Sequence, residues 1–186
     1  MKSALAYNKD YAFNAICPYY TMFPLEYPLG IINKHRKNAP VVLDPFCGRG
    51  TTLYAARKLG FQAYGLDTSR IAAAIAQAKL ASATIEDVMA LAETLVAVAP
   101  KDVPNTAFFR KAFSKSTLVE LCSLREGLLK ARLSSEAAIL RAAALGCLHG
   151  PLPTANGTPS YFSNCPASAP MRQIEGAAFR RVLVSS

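Results

Sequence analysis

Two short apolar runs, each ended by an acidic residue, stand out in the pattern of hydrophobic and polar positions. The first run begins at Val41 with Val-Val-Leu and stops at Asp44 and Pro45. Three branched apolar residues in succession are typical of a strand covered on both faces, so the run predicts a buried strand. The second run, Gln62-Ala-Tyr-Gly-Leu-Asp67, predicts another strand.

Apolar positions at helical spacing dominate most of the chain between these runs and residue 148. Helices are predicted over residues 25–37, 51–59, 70–81, 84–99 and 134–148, and from residue 117 onward. Their N-terminal caps are expected at Ser69, Thr84, Thr117 and Ser134, and Gly60 suits the left-handed position that ends a helix. The residues that recur at helical spacing are Ile71, Ala74, Ile75 and Ala78 in one helix, and one stripe with its edge is expected from Leu118, Leu121, Cys122, Arg125, Leu128 and Leu129 in another.

Strand and helix alternate only as far as Asp67, and helices follow without a further clear strand until the tail. This order predicts an α/β fold: a partial Rossmann-like core with an incomplete parallel sheet, an N-terminal arm and an inserted helical block. Such a sheet would leave an unpaired edge and exposed apolar surface. Residues 150–170 are rich in Pro, Ser, Asn and Gly and predict a loop, and residues 182–184 are a short strand candidate.

The first thirty residues combine aromatic residues with Pro18, Pro24 and Pro28. Proline at these positions excludes a long helix and favours an extended backbone at the residue that precedes each proline. Aromatic residues at this density usually pack against other parts of a protein. We therefore expect an arm folded across the core, with a mobile leader as the alternative.

A glycine turn joins the first predicted strand to a helix. Gly48 and Gly50 follow the strand, and Thr51 and Thr52 open the helix. Strand, glycine turn and helix N-terminus in this order predict a site for a nucleotide-type ligand, because the backbone can approach the ligand where side chains are absent. Asp67, at the end of the second strand, is placed where such a unit holds ribose hydroxyls. Capping of the helix that begins near Ser69 is the alternative role for this carboxylate.

Composition and charge limit the classes of protein to which this chain can belong. The 186 residues are 52% hydrophobic and 18% charged, which is typical of a globular domain, and the formal net charge of +9 favours an anionic partner such as nucleic acid. Solubility alone can also explain this charge. Five cysteines without a CxxC pair or an export signal predict free thiols and a cytoplasmic protein. No membrane span is expected, because the longest apolar stretch is too short to cross a bilayer. No metal site is expected, because the two histidines lack the spacing of metal ligands.

The stretch from Asp44 to Thr52, Asp-Pro-Phe-Cys-Gly-Arg-Gly-Thr-Thr, resembles the Asp-Pro-Phe-x-Gly-x-Gly-Thr-Thr signature of the S-adenosylmethionine-dependent DNA amino-methyltransferases. These enzymes methylate adenine N6 or cytosine N4. Residues 13–24, 149–151 and 160–164 also resemble a bacterial DNA methylase subgroup, so the resemblance covers roughly residues 11–165. It implies one methyltransferase domain divided into an arm and first helix (1–37), a cofactor-binding core (38–82), a helical insertion (83–149) and a loop and tail (150–186).

The resemblance implies S-adenosyl-L-methionine as the cofactor and DNA as the partner. It also implies a cofactor site made of Asp44, Pro45, Phe46, Cys47, Gly48, Gly50, Thr51, Thr52, Leu66, Asp67, Thr68, Tyr20, Thr21, Phe23 and Pro24. In that site Phe46 would form a wall, Leu66 and Thr68 would flank the adenine, and residues 20–24 would close the other side. Cys47 is interpreted as a small filler of the pocket, because no histidine or lysine base lies near it in sequence to make it a nucleophile.

One family motif is missing from this sequence. Amino-methyltransferases hold the target nitrogen with an Asp/Asn/Ser-Pro-Pro-Tyr/Phe tetrapeptide, and the 186 residues contain no Pro-Pro pair. We therefore expect a cofactor-binding part that is truncated and inactive alone, with a second polypeptide as a possible source of the catalytic half. An out-of-family tail after about residue 165 is the alternative explanation. A non-catalytic DNA-binding remnant or regulatory module, and an RNA-directed methyltransferase, are the alternative functions.

Overall fold

A computed structural model describes residues 9–17, 22–37, 41–131 and 133–148 of the chain. Tyr20, Thr21, the motif segments at 149–151 and 160–164, and the strand candidate at 182–184 lie outside these residues. The elements are α1 (Lys9–Asn14), α2 (Glu26–Lys34), β1 (Val41–Asp44), α3 (Thr51–Lys58), β2 (Gln62–Gly65), α4 (Arg70–Leu80), α5 (Ile85–Val96), α6 (Ala107–Ala112), α7 (Lys115–Lys130) and α8 (Ser135–Leu148).

The two predicted strands pair in parallel, with Val41 opposite Gln62 and Asp44 opposite Gly65. Helix α3 connects them, as a parallel pair requires a crossover. Val42 and Ala63 point to the covered face, where they pack against a cluster that contains Tyr54 of α3. In the described part of the chain the architecture is α/β, with helices in the majority and one small parallel sheet.

The prediction that β1 is buried is wrong. Val41 is 43% exposed and Leu43 is 63% exposed, and Tyr64 on the neighbouring strand is 53% exposed. These side chains share one face of the sheet, since paired residues of parallel strands point to the same side. An apolar run predicts a strand, but it does not determine whether other elements pack on both faces of that strand. Within the described residues, helices pack only on the opposite face of the sheet.

The helical block shares its core with α4 and the arm. One cluster of buried side chains contains Ile75 of α4, Val88 of α5, Leu124 of α7 and Leu140 of α8. Cys17 of the arm belongs to the same cluster and is 1% exposed. The described part of the arm therefore packs on the protein, whereas the mobile-leader alternative would leave these residues in water.

Several helix ends agree with the predicted caps. The hydroxyls of Ser69, Thr84 and Ser134 accept hydrogen bonds from the amides of Ala72, Asp87 and Ala137. Gly60 has a left-handed φ of 78° directly after the C-cap of α3. These signals are local, so the sequence alone was sufficient to locate them.

Other helix predictions need correction. Helix α7 begins after Ser114, which caps the amide of Thr117, and the short helix α6 was not predicted. In the predicted stripes Ile71 is 41% exposed and Leu129 is 71% exposed. Tertiary packing rotates each buried face: the residues actually buried are Ala72, Ile75, Ala76, Ala78 and Lys79 in α4, and Leu118, Ser123, Leu124 and Leu128 in α7.

Candidate functional site

The site begins where β1 ends and the chain turns into α3. Gly48 and Gly50 have left-handed φ values of 50° and 72°, which a residue without a side chain adopts at little cost. The amide of Gly50 donates to the carbonyl of Cys47 at 2.7 Å and closes the turn. Gly50 is also the N-cap of α3 and offers no side chain to that helix end. The positive end of the α3 dipole therefore adjoins the turn.

Asp67 ties the glycine turn to the end of β2. One carboxylate oxygen accepts the amide of Gly48 at 2.9 Å, and the other accepts the amide of Ser69 at 2.8 Å. The predicted capping alternative belongs to Ser69, whose hydroxyl accepts the amide of Ala72, whereas Asp67 holds the amide of that cap residue. A carboxylate has about four lone-pair positions, so two amide bonds leave acceptor capacity for a ligand.

Close packing explains two of the glycines near the site. A Cβ added to Gly50 would lie 2.8 Å from the Cα of Ala76 on α4, and one added to Gly65 would lie 2.5 Å from Leu53 and 2.9 Å from Cys47. Gly48 differs, because a Cβ there would meet nothing within 4 Å. The space beside Gly48 is open, as an approach to its backbone requires.

Cys47 lies inward of the turn rather than on its rim. It is 8% exposed and packs with Leu53 and Ala76. Burial, with the nearby carboxylates of Asp67 and Asp44, raises the pKa of its thiol above the ordinary value. A raised pKa disfavours the thiolate, so this position suits a packing role and not nucleophilic attack.

Apolar and polar side chains form an exposed rim around the turn. Phe46 is 87% exposed and Leu66 is 59% exposed, although both are apolar. Thr68 and Pro45 are also exposed, whereas Thr52 is half-buried and Thr51 is 4% exposed. Asp44 is half-buried and accepts the amide of Phe46 at 3.2 Å.

The described residues of the segment expected to close the site also lie at the surface. Phe23 is 47% exposed and Pro24 is exposed, and the ring of Phe23 meets that of Tyr27 edge-on at 5.9 Å. The ring of Phe23 therefore contacts Tyr27 of α2. Tyr20 and Thr21, predicted beside it, fall outside the described residues.

A cavity of about 350 Å³ lies away from this rim, at the other end of α3. Its lining includes Tyr54 and Lys58 of α3 and Asp10 of the arm. Asp10 pairs with Lys58 and accepts the hydroxyl of Tyr54 at 3.3 Å. The hydrogen bond to Lys58 lowers the pKa of Asp10, and burial raises the pKa of Tyr54 to about 12. These contacts tie the arm to α3, so we interpret this end of α3 as structural.

Sequence reasoning missed a buried polar contact between α4 and the arm. Lys79 is fully buried and donates to the side-chain oxygen of Asn14 at 2.8 Å. One signal was available: Lys79 stands seven residues after Ala72 and four after Ile75, in register with the apolar face of α4. No local signal pointed to Asn14.

The described residues contain neither a candidate metal cluster nor a membrane-crossing helix. They include no group of three or more histidine, cysteine or acidic side chains that could hold a metal ion. No helix in this part of the chain is long and apolar enough to cross a membrane. The four described cysteines are all free thiols.

Comparison with protein families adds an independent result to this geometry. Residues 5–78 match the family model described as DNA methylase. This part of the chain is therefore similar to the DNA methylase family. The DNA methylase match includes β1, the glycine turn, β2, Asp67 and most of α4, and it ends before the helical block. It is narrower than the resemblance over residues 11–165 that the motifs indicated. Searches of curated proteins and of solved structures give no match.

Proposed function

We propose that this chain binds S-adenosyl-L-methionine at the glycine turn, as part of a DNA methyltransferase that acts on an exocyclic amino group, adenine N6 or cytosine N4. The observation that carries the proposal is the hydrogen bond from the Gly48 amide to Asp67. It joins the glycine turn to the acidic end of β2, so that backbone and carboxylate adjoin one open space. The carboxyl edge of a parallel sheet is the usual ligand site in such folds.

The residues present fit this cofactor. Asp67 retains acceptor positions for the two ribose hydroxyls, and the exposed apolar side chains of Phe46 and Leu66 offer surfaces for an adenine ring. The uncapped N-terminus of α3 favours a negative group such as the methionine carboxylate. When bound, the cofactor supplies a methyl group already activated by a sulfonium, and the protein's part is to bind and orient it.

A substitution on the rim tests cofactor binding without disturbing the fold. Phe46→Ala removes a ring that is 87% exposed, so the free energy of unfolding should change by less than about 0.5 kcal/mol. Calorimetry with S-adenosyl-L-methionine should show micromolar-range binding by the wild type. We expect about a fivefold loss of affinity in the variant, as the lost aromatic contact is worth roughly 1 kcal/mol.

A matched control is available in α6, which contributes no residue to the candidate site. Phe108 of α6 is 69% exposed, and Phe108→Ala should leave both affinity and stability unchanged. Asp67→Ala should abolish binding. Absence of any heat with a folded wild-type sample would refute the proposal.

Methyl transfer is a separate question, because the sequence contains no Pro-Pro pair. We expect no transfer to DNA by this chain alone, and transfer when a polypeptide with an Asp/Asn/Ser-Pro-Pro-Tyr/Phe segment is added. A labelled-methyl assay with DNA and RNA, with and without that polypeptide, measures this and identifies the nucleic acid. DNA affinity that falls steeply with salt, without cofactor binding, would instead support a binding module.

A further inference from the structure

Lys79 is a fully buried lysine whose hydrogen-bond partner, Asn14, is uncharged. Its ammonium donates to the amide oxygen of Asn14, which is itself 1% exposed. Among the described residues no carboxylate is recorded as a hydrogen-bond or ion-pair partner of this ammonium. A buried lysine without a counter-ion is costly in its charged form, so the contact calls for an explanation beyond packing.

The groups that face Lys79 come from the arm and from the glycine turn. Cys17 of the arm and Arg49 of the turn are both buried, and Cys147 of α8 faces Cys17. Burial and the nearby Arg49 lower the pKa of Lys79 to about 7, while Cys17 acts weakly in the opposite direction. The backbone carbonyl of Lys79 is engaged separately, since it accepts a hydrogen bond from Arg57 at 2.9 Å.

The arm segment, residues 9–17, provides much of this enclosure. It supplies both Asn14 and Cys17, and it lies directly on α8 at Gly146, where an added Cβ would be 2.6 Å from the carbonyl oxygen of Ile16. Along the chain it leads towards Phe23 and Pro24, which are expected at the cofactor site. Removal of the arm segment would take away the Asn14 partner of Lys79 and part of its cover.

We propose that Lys79 is a positioning residue that couples docking of the arm segment to loss of a proton, so that the arm packs most tightly over the neutral amine. The link from the arm to cofactor affinity rests on the proposed function. The link from Lys79 to docking of the arm does not, because it depends only on contacts among Lys79, Asn14, Cys17 and Gly146.

The direction of the pH dependence follows from the two states. With the arm docked the pKa of Lys79 is about 7, and with the arm detached it should approach the ordinary value of 10.5. Between these values the detached state binds more protons, so docking strengthens as pH rises. The docking constant should increase by up to about tenfold per pH unit between pH 7 and 10, and Lys79 contributes no dependence well below pH 7.

Hydrogen exchange of the full chain, read by mass spectrometry over residues 9–17, tests this coupling. Wild type and Lys79→Met are compared at the same pH, so that the intrinsic exchange rate cancels. The ratio of arm protection, wild type over variant, should rise at least tenfold from pH 7 to pH 9. A ratio that stays constant would overturn the proposal. Lys101→Met, at an exposed position, is the matched control and should follow the wild type.

Two further variants keep the test decisive if Lys79→Met folds poorly. Asn14→Asp would give the ammonium a counter-ion and raise its pKa, so the pH response between 7 and 9 should disappear while the arm stays docked. Gly146→Val should displace the arm and lower its protection at both pH values. Retention of the full pH response in Asn14→Asp would contradict the proposed role of Lys79.

Calorimetry with S-adenosyl-L-methionine at pH 7 and pH 9 then tests the link to the cofactor. Wild-type affinity should rise with pH, and the affinity of Lys79→Met should not. If wild type binds no cofactor but its arm shows the pH response, the proposed function fails and the coupling stands. If cofactor binds and the arm shows no pH response, the coupling fails alone.

Discussion

Leu140 of α8 and Leu43 of β1 are the same residue type in two very different settings. Leu140 is 0% exposed, in a core built from α4, α5, α7, α8 and the arm. Leu43 is 63% exposed, on the sheet face that it shares with Val41 and Tyr64. The helices of the described chain therefore enclose a core of their own, but they cover only the sheet face of Val42 and Ala63, and only in part, and leave the face of Leu43 to solvent.

The difference separates the main source of stability from the candidate site. The helical core buries apolar side chains from four helices and the arm, which is the usual source of stability. The glycine turn and Asp67 lie at the end of the half-covered sheet, where backbone and polar groups are accessible. Parallel sheets are generally covered on both faces, so the open face of Leu43 is unusual for this class.

The largest expected effect comes from the same truncation made in both regions. Leu140→Ala should lower the free energy of unfolding by about 2–5 kcal/mol, because it leaves a cavity in a closed core. Leu43→Ala should change it by less than about 0.5 kcal/mol, because the side chain already contacts water. Urea unfolding of both variants measures the contrast. Equal losses would mean that the sheet face is covered in solution.

A second comparison concerns the joint between the two regions, where Gly50 of the turn packs on Ala76 of α4. Gly50→Ala combines an unfavourable left-handed φ with a contact of 2.8 Å, and should destabilise by about 3 kcal/mol. Gly48→Ala has the φ penalty without the contact and should cost roughly 1 kcal/mol. Thermal and urea unfolding should rank the variants in this order, and similar losses would show that the close approach to α4 does not matter.

The smallest effects are expected at two helix glycines. Gly127 of α7 faces Leu95 of α5, and an added Cβ would lie 2.7 Å from that side chain. Gly127→Ala should therefore lose about 1 kcal/mol, since overpacking exceeds the gain in helix propensity. Gly30→Ala in α2, where nothing lies within 4 Å, should gain about 0.5–1 kcal/mol. Stabilisation at both positions would show that the α5–α7 contact is loose.

Much of the local structure could be predicted from sequence because its causes are local. The glycine pair after Val41-Val-Leu, the caps at Ser69, Thr84 and Ser134, and the stop at Gly60 each act within a few residues. Prediction failed where distant residues decide the outcome, as in the exposure of Leu43. The start of α7 was missed for another reason: Ser114 and Thr117 are both good capping residues.

The candidate site shows the same division. From sequence alone, Asp67 and the turn at Gly48 were expected to act together, because both follow strands of one parallel sheet. Only the tertiary structure shows that Asp67 accepts the Gly48 amide, and that Cys47 lies inward while Phe46 lies outward. Side-chain direction at a turn depends on what packs behind it.

The sequence by itself determined the strand, glycine turn and helix order, the acidic end of each strand, and the likeness to DNA amino-methyltransferases. The tertiary structure alone decided which sheet face is open and which polar residues are buried together. Lys79 and Asn14 are 65 residues apart and meet only because α4, α8 and the arm close around one core. Local patterns specify secondary structure, whereas partners at this separation depend on how the helices pack.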